Sequence, residues 1–227
     1  MSVEIDLLER VESADTKGLE VPIHWGVMTF DHARNWHKNI QPSIKRDTRR
    51  ADQNWNWNEI LLLKYFYIPR GYSPLFLTAF VKLPNKSAVP VGMLLMLTRY
   101  PRIDGQAGGS VFTSFLTSAP KATLKRLGVS ACPNMGRALI DCGIVTSFVQ
   151  GKAGRTWLHC APAGQTWLLD FYKITCGLHL YPKTGKLPVK NLIVPGNDGR
   201  HFFTDESLAA RLAKDMDALR PQPVKAR

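Results

Sequence analysis

The segment from Val111 to Pro182 most constrains how this chain can fold, because it reads strand, loop, helix, strand, helix, strand with almost no residues to spare. VFTSFLTSAP (111–120) is rich in β-branched and aromatic residues, and MGRALIDCGIVTSFVQ (135–150) has helical apolar spacing. TWLHCAP then reads as a strand, GQTWLLDFYKIT as a helix and GLHLYP as a strand. Two clear strands come first, PLFLTAFVKL (74–83) and VGMLLMLTRYP (91–101), joined by a Pro-Asn-Lys-Ser link that suits an antiparallel connection. Three strands in succession before the first long helix predict a mixed α+β sheet rather than a doubly wound parallel one. Where a strand feeds a loop and then a helix, unpaired N–H groups and the positive end of the helix dipole can receive a phosphate.

The chain has 227 residues and is 44% hydrophobic, enough for one sizeable core. No apolar run reaches about 18 residues, and the first 20 residues are acidic rather than signal-like, so the expectation is a cytoplasmic protein without a membrane span. The four cysteines, at 132, 142, 160 and 176, form no C-x-x-C pair, so neither a zinc site nor a disulfide framework is expected. Residues 1–20 hold six acids against Arg10 and Lys17, which leaves the rest of a +12 chain near +16. A field of that sign concentrates anionic partners: nucleic acid, a phosphorylated cofactor or an acidic protein surface.

Flanking the central segment, Thr29 or Asp31 can cap a helix that carries Ala33, Trp36, Ile40 and Ile44 at helical spacing, with Pro42 breaking or kinking it. Six Lys or Arg lie between 34 and 50, either a nucleic-acid face or the solvated side of an amphipathic helix. Residues 54–64 are read as helical. After the central segment, NLIVPGNDGRHFF supplies one or two short strands about an Asn-Asp-Gly turn. TDESLAARLAKDMDALR then forms an amphipathic helix with Leu208, Leu212 and Leu219 on one face. The expected organisation is a single domain over 1–227, with an N-terminal elaboration (1–70), a core (71–182) and a C-terminal strand-and-helix end (183–227).

Two phrases in the core resemble the GNAT acyltransferase family over roughly residues 75–182. The first is Ala131-Cys132-Pro133-Asn134-Met135-Gly136, a degenerate form of the family's Q/R-x-x-G-x-G/A phosphate loop in which only the last glycine agrees. The second is LLDFYKITCG, similar to F-Y-x-x-x-G-F, with the glycine kept and Leu178 in place of the final Phe. The resemblance implies a GNAT-like, mostly antiparallel sheet flanked by helices, whose central parallel strands (111–118 and 156–161) splay apart. It also implies acetyl-CoA or another acyl-CoA as co-substrate, with no metal. Main-chain groups of Leu116, Thr117 and Ser118 would meet the pantetheine arm, and Asn134, Met135, Gly136, Arg137 and Ala138 the pyrophosphate. Asn134 is expected to take a left-handed conformation, with Lys125 and Arg126 adding charge. Tyr172 would stand near the sulfur as acid for the departing thiolate.

A base for the acceptor amine is less legible: Glu59, Asp52 and His159 are the candidates, and Glu59 is taken with Tyr172 as the catalytic pair. The implied activity is direct N-acylation of an amine in a ternary complex, the acceptor being a small molecule, a protein or an aminoacyl-tRNA, as for family members that act as toxins. RNA binding through the basic surface and a homodimer are further expectations, with no membrane partner. Two other readings stay open. One is a catalytically inactive GNAT-like protein that binds nucleic acid or a partner, with Trp36, Trp55 and Trp57 as stacking surfaces. The other is a cysteine hydrolase using Cys132 at a helix N-terminus with His159 as base.

Overall fold

The computed structural model describes residues 10–12, 20–84, 87–129, 132, 134–188 and 196–217. Strands β1 (Arg10–Glu12) and β2 (Glu20–Pro22) pair as a separate antiparallel ribbon. The main sheet has seven strands: β3 (His24–Val27), β4 (Pro74–Lys82), β5 (Ala88–Tyr100), β6 (Ser110–Ser118), β7 (Thr156–His159), β8 (His179–Leu180) and β9 (His201–Thr204). Their spatial order is β3-β4-β5-β6-β7-β9-β8. Every neighbouring pair is antiparallel except β6 and β7. The mixed sheet is what the order of elements predicts, and its mostly antiparallel pairing with one central parallel pair is what the resemblance implies. The C-terminal strand β9, however, inserts between β7 and β8, a placement no local pattern specifies.

Helices cover both faces. On one lie α1 (Phe30–Asn39), α2 (Gln41–Ile44), α3 (Trp57–Leu62) and α4 (Lys64–Tyr67); on the other lie α6 (Met135–Val149), α7 (Gln165–Asp170) and α8 (Glu206–Met216). A short α5 (Lys121–Arg126) follows β6. Strand β5 is sandwiched between the layers: Met93, Leu95 and Leu97 join Trp36, Trp57 and Tyr67, while Leu94 and Met96 join Met135 and Leu139. Period-two alternation thus feeds two cores, and its near-continuous apolar run follows from burial on both sides.

Local chemistry sets the helix limits. Thr29 caps α1 by accepting from the His32 amide, and His32 Nδ1 accepts in return from the Thr29 amide. The helix stops at Ile40 and restarts with Pro42 in its first turn, where a missing N–H costs nothing. The helix expected over 54–64 is shorter, because Asn56 accepts from the Asn58 amide and starts α3 at Trp57, and the chain then bends at Leu63 into α4. In α8, Leu208 is buried as expected and Asp205 supplies the cap. The expected contribution of Leu219 lies outside the described residues. Residues 24–70 are integral to the sheet and its cover: β3 is an edge strand and α1 to α4 close one face.

Candidate functional site

Strands β6 and β7 pair over only three positions, Val111↔Thr156, Phe112↔Trp157 and Thr113↔Leu158. The next residue, Ser114, is skipped in the register with β5, since Met96 faces Thr113 and Leu95 faces Phe115. That bulge adds local twist where β6 parts from β7, so the β7-facing edge of Ser114–Ser118 is released while its other edge stays paired with β5. The strands enclose a cleft of about 370 Å³. Leu116, Thr117 and Ser118, expected from sequence to offer main-chain groups, all line it, as do Gly136 and Tyr172.

On the α1–α4 face, the cleft wall is built by a loop at the end of the basic run 34–50, which the sequence reads as either a nucleic-acid face or a solvated helix side. Arg50 forks onto Asp52, with Nε and Nη2 donating at 2.8 and 2.6 Å, and its Nη2 also donates to the Ser118 carbonyl at 2.9 Å. Thr117 donates its hydroxyl to Asp52. Gln41, fully buried, donates to the Asp52 and Gln53 carbonyls and accepts from Trp36, which pins the loop to the core. Trp167 closes the cleft from the other side by donating to the Arg49 carbonyl at 2.7 Å. Both Asp52 oxygens are therefore engaged, which suits a structural latch better than a base. Glu59 is exposed on α3, accepts from Asn56 and lies outside the residues lining the cleft, so it is not brought together with Tyr172 as expected.

On the α6–α7 face, Tyr172 is 5% exposed and lines the cleft. Burial pushes its phenol well above the ordinary range, with Cys160, Cys176 and Asp52 adding in the same direction. It therefore keeps its proton and is a hydrogen-bond donor rather than a base. Four residues separate it from Gly177 where the family phrase has three, and the surplus is absorbed as a π-helical turn over Phe171–Thr175, marked by the Cys176 amide donating to the Phe171 carbonyl at 2.8 Å. The helix predicted over 164–175 is thus α7 followed by this turn. Gly136 lies against Phe171: a Cβ there would sit 2.7 Å from Phe171 Cζ, so a larger residue would displace that ring.

Other expected cofactor residues sit differently. Asn134 has φ −97 and ψ 10, a right-handed bridge conformation rather than the left-handed one expected. Met135 and Ala138 point their side chains into the core, which leaves only their main chain for a ligand. Arg137 turns away from the cleft to a small hollow shared with Ile140, Cys176 and Leu212. Arg126 is committed to the Asn39 carbonyl at 3.1 Å. Ala131 and Pro133 of the degenerate loop lie outside the described residues.

Cys132 does not suit a nucleophile, because burial pushes its thiol up to about 11, the reverse of the lowering that a helix N-terminus would give, and it does not line the cleft. Among the proposed stacking tryptophans, Trp36 and Trp57 are core residues, and Trp55 packs edge-on against Phe115 at 4.9 Å within the cleft wall.

His159, at the end of β7, lines the cleft on the α1–α4 face, two residues along from Trp157. Its Nε2 lies 3.0 Å from Asp198 Oδ2. Burial pushes the Asp198 carboxyl up, but the hydrogen bonds from His159 and from the Arg200 amide work against it, and the group stays below the usual carboxylate range. His201 stands behind, fully buried, with its ring 4.7 Å from that of His159 and both nitrogens without a hydrogen-bond partner. Burial and the neighbouring His159 lower His201 to about 4. Sequence reading found His159 but not Asp198, since only the β7–β9 pairing brings residue 198 beside residue 159.

No protein-family model matches this chain, and no curated protein does. Several solved structures are similar to it. A GNAT-family acetyltransferase from Staphylococcus aureus is 14% identical, with 81% of this chain and 99% of that one covered at a TM-score of 0.48. A spermidine N-acetyltransferase from Vibrio cholerae, solved with CoA and spermine, is 14% identical over 83% of this chain and 98% of that one, also at 0.48. A mutant AtaT toxin bound to the C-terminus of the antitoxin AtaR and acetyl-CoA is 11% identical over 84% and 97%, again at 0.48.

Proposed function

We propose that the cleft between β6 and β7 binds an acyl-CoA and that the chain transfers the acyl group to an amine by direct attack. The observation that carries this reading is the released β6 edge: Ser114–Ser118 lose their β7 partner just where the cleft opens, so main-chain donors and acceptors face an apolar slot. An extended pantetheine arm carries two amides and can add to such an edge as a strand would. One main-chain N–H of the edge then polarises the thioester carbonyl as charge develops on its oxygen. The phosphates extend toward the start of α6, where main-chain N–H groups and the helix dipole supply attraction without particular side chains.

The two faces divide the chemistry. Acyl-CoA enters on the α6–α7 face, where Tyr172, held protonated by burial, donates a hydrogen bond to the departing sulfur. The amine enters on the α1–α4 face beside Trp55, Phe115 and His159. Asp52 is the single acid among the described residues lining the cleft, and Arg50 neutralises it, so a polyamine with several cations finds no free carboxylate there. This supports an acceptor with one amine and apolar or aromatic surface next to it. Calorimetric titration with acetyl-CoA and with free CoA tests the reading: one-to-one binding of both is expected, and no heat from either overturns it.

A further inference from the structure

We propose that His159 is the base that takes the proton from the acceptor amine, and that Asp198 is the positioning residue that fixes its tautomer. This rests on the acyl-transfer reading above and adds the group that reading lacks.

Titratable side chains lining the cleft among the described residues are Arg50, Asp52, His159 and Tyr172. Arg50 and Asp52 are locked to each other, and Tyr172 lies on the opposite face and keeps its proton. His159 therefore stands alone as a nitrogen base on the face where the amine enters. The ionised Asp198 carboxylate only accepts hydrogen bonds, so the Nε2 it meets must carry hydrogen, which leaves the lone pair on Nδ1. The carboxylate is itself fixed, since its Oδ1 accepts from the Arg200 amide at 2.9 Å and Asn197 Oδ1 accepts from the Gly199 amide at 3.0 Å. Arg200 is held away from the imidazole by donating to the carbonyls of Cys160, Ala161 and Gln165. His201 faces the pair from β9, 3.7 Å from Asp198 Oδ1, and being neutral it adds no competing charge when His159 becomes cationic.

The step balances as follows. The amine nitrogen attacks the thioester carbon, forming the C–N bond, and the C–S bond breaks with its electron pair leaving on sulfur. The proton shed by nitrogen passes to His159 Nδ1, directly or through one water, and the imidazolium charge is offset by Asp198. The thiolate, stabilised by the Tyr172 hydroxyl, is protonated on release as free CoA.

Long-range proton–nitrogen NMR on the whole chain reads the tautomer without any substrate. Neutral His159 is expected with hydrogen on Nε2, and Asp198→Asn should erase that preference; hydrogen on Nδ1 in the native chain overturns the proposal. Turnover of acetyl-CoA with 2-phenylethylamine, or its hydrolysis with water in place of the amine, supplies the kinetic arm. His159→Gln should lower kcat by about 100-fold with the acetyl-CoA Kd unchanged, and added imidazole should partly restore His159→Ala. Native turnover in His159→Gln overturns the assignment of the base alone, whereas failure of the native chain to bind acetyl-CoA overturns the underlying reading. Stoichiometric metal on the purified protein also overturns the proposal, since an ion held by His159, Asp198 and His201 would consume the lone pair.

Discussion

At the residue scale, Tyr172 illustrates how burial selects one role for a side chain. A phenol held far above its ordinary range cannot act as a base near neutral pH, but it always has a hydrogen to offer. Tyr172→Phe removes that donor while keeping the ring contacts with Phe171 and Phe202. Turnover is expected to fall by about 100-fold, with acetyl-CoA affinity measured by calorimetry changed by less than about threefold. Native turnover would remove Tyr172 from the chemistry. This residue was legible in the sequence because its phrase is local. Glu59 was misplaced for the complementary reason: proximity to two tryptophans in the chain said nothing about which way α3 turns it.

Among the elements, the decisive one is the loop from Arg50 to Asp52, whose charges look like ordinary surface residues. It holds Thr117 and the Ser118 carbonyl, and so holds the end of β6 at the cleft. Removing one member of a buried ion pair leaves the other unpaired, which is costlier than deleting an exposed pair. Asp52→Ala is therefore expected to destabilise the fold by about 3 kcal/mol in urea unfolding and to weaken acetyl-CoA binding, whereas Asp47→Ala, an exposed pair with Arg49 a few residues away, should do neither. Equal losses in both variants would refute the latch. The π-helical turn at Phe171–Thr175 is a second case in which an element answers a sequence surplus, here by adding one residue without moving Tyr172 out of the cleft.

For the whole molecule, stability should carry the signature of His201, buried behind His159 and Asp198. Its folded-state pKa of about 4 lies below the unfolded value near 6.5, so the unfolded chain binds the extra proton between those values. The contribution is present above pH 6.5 and is lost as pH falls toward 4. The melting temperature of the native chain is expected to drop over that window, and His201→Gln should flatten the drop; an unchanged slope in the variant would exclude His201 as the source. Strand periods, helix caps and the succession of three strands before α6 were determined by sequence alone, because each depends on residues within a turn or two of one another. The succession of strand, loop, helix, strand, helix and strand between Val111 and Pro182 was likewise present as a local pattern. Tertiary structure alone decided the bulge at Ser114, the insertion of β9 between β7 and β8, and with it the meeting of His159 with Asp198. Those features arise from register between strands distant in the chain, and register is an energy of the assembled sheet that no single segment carries.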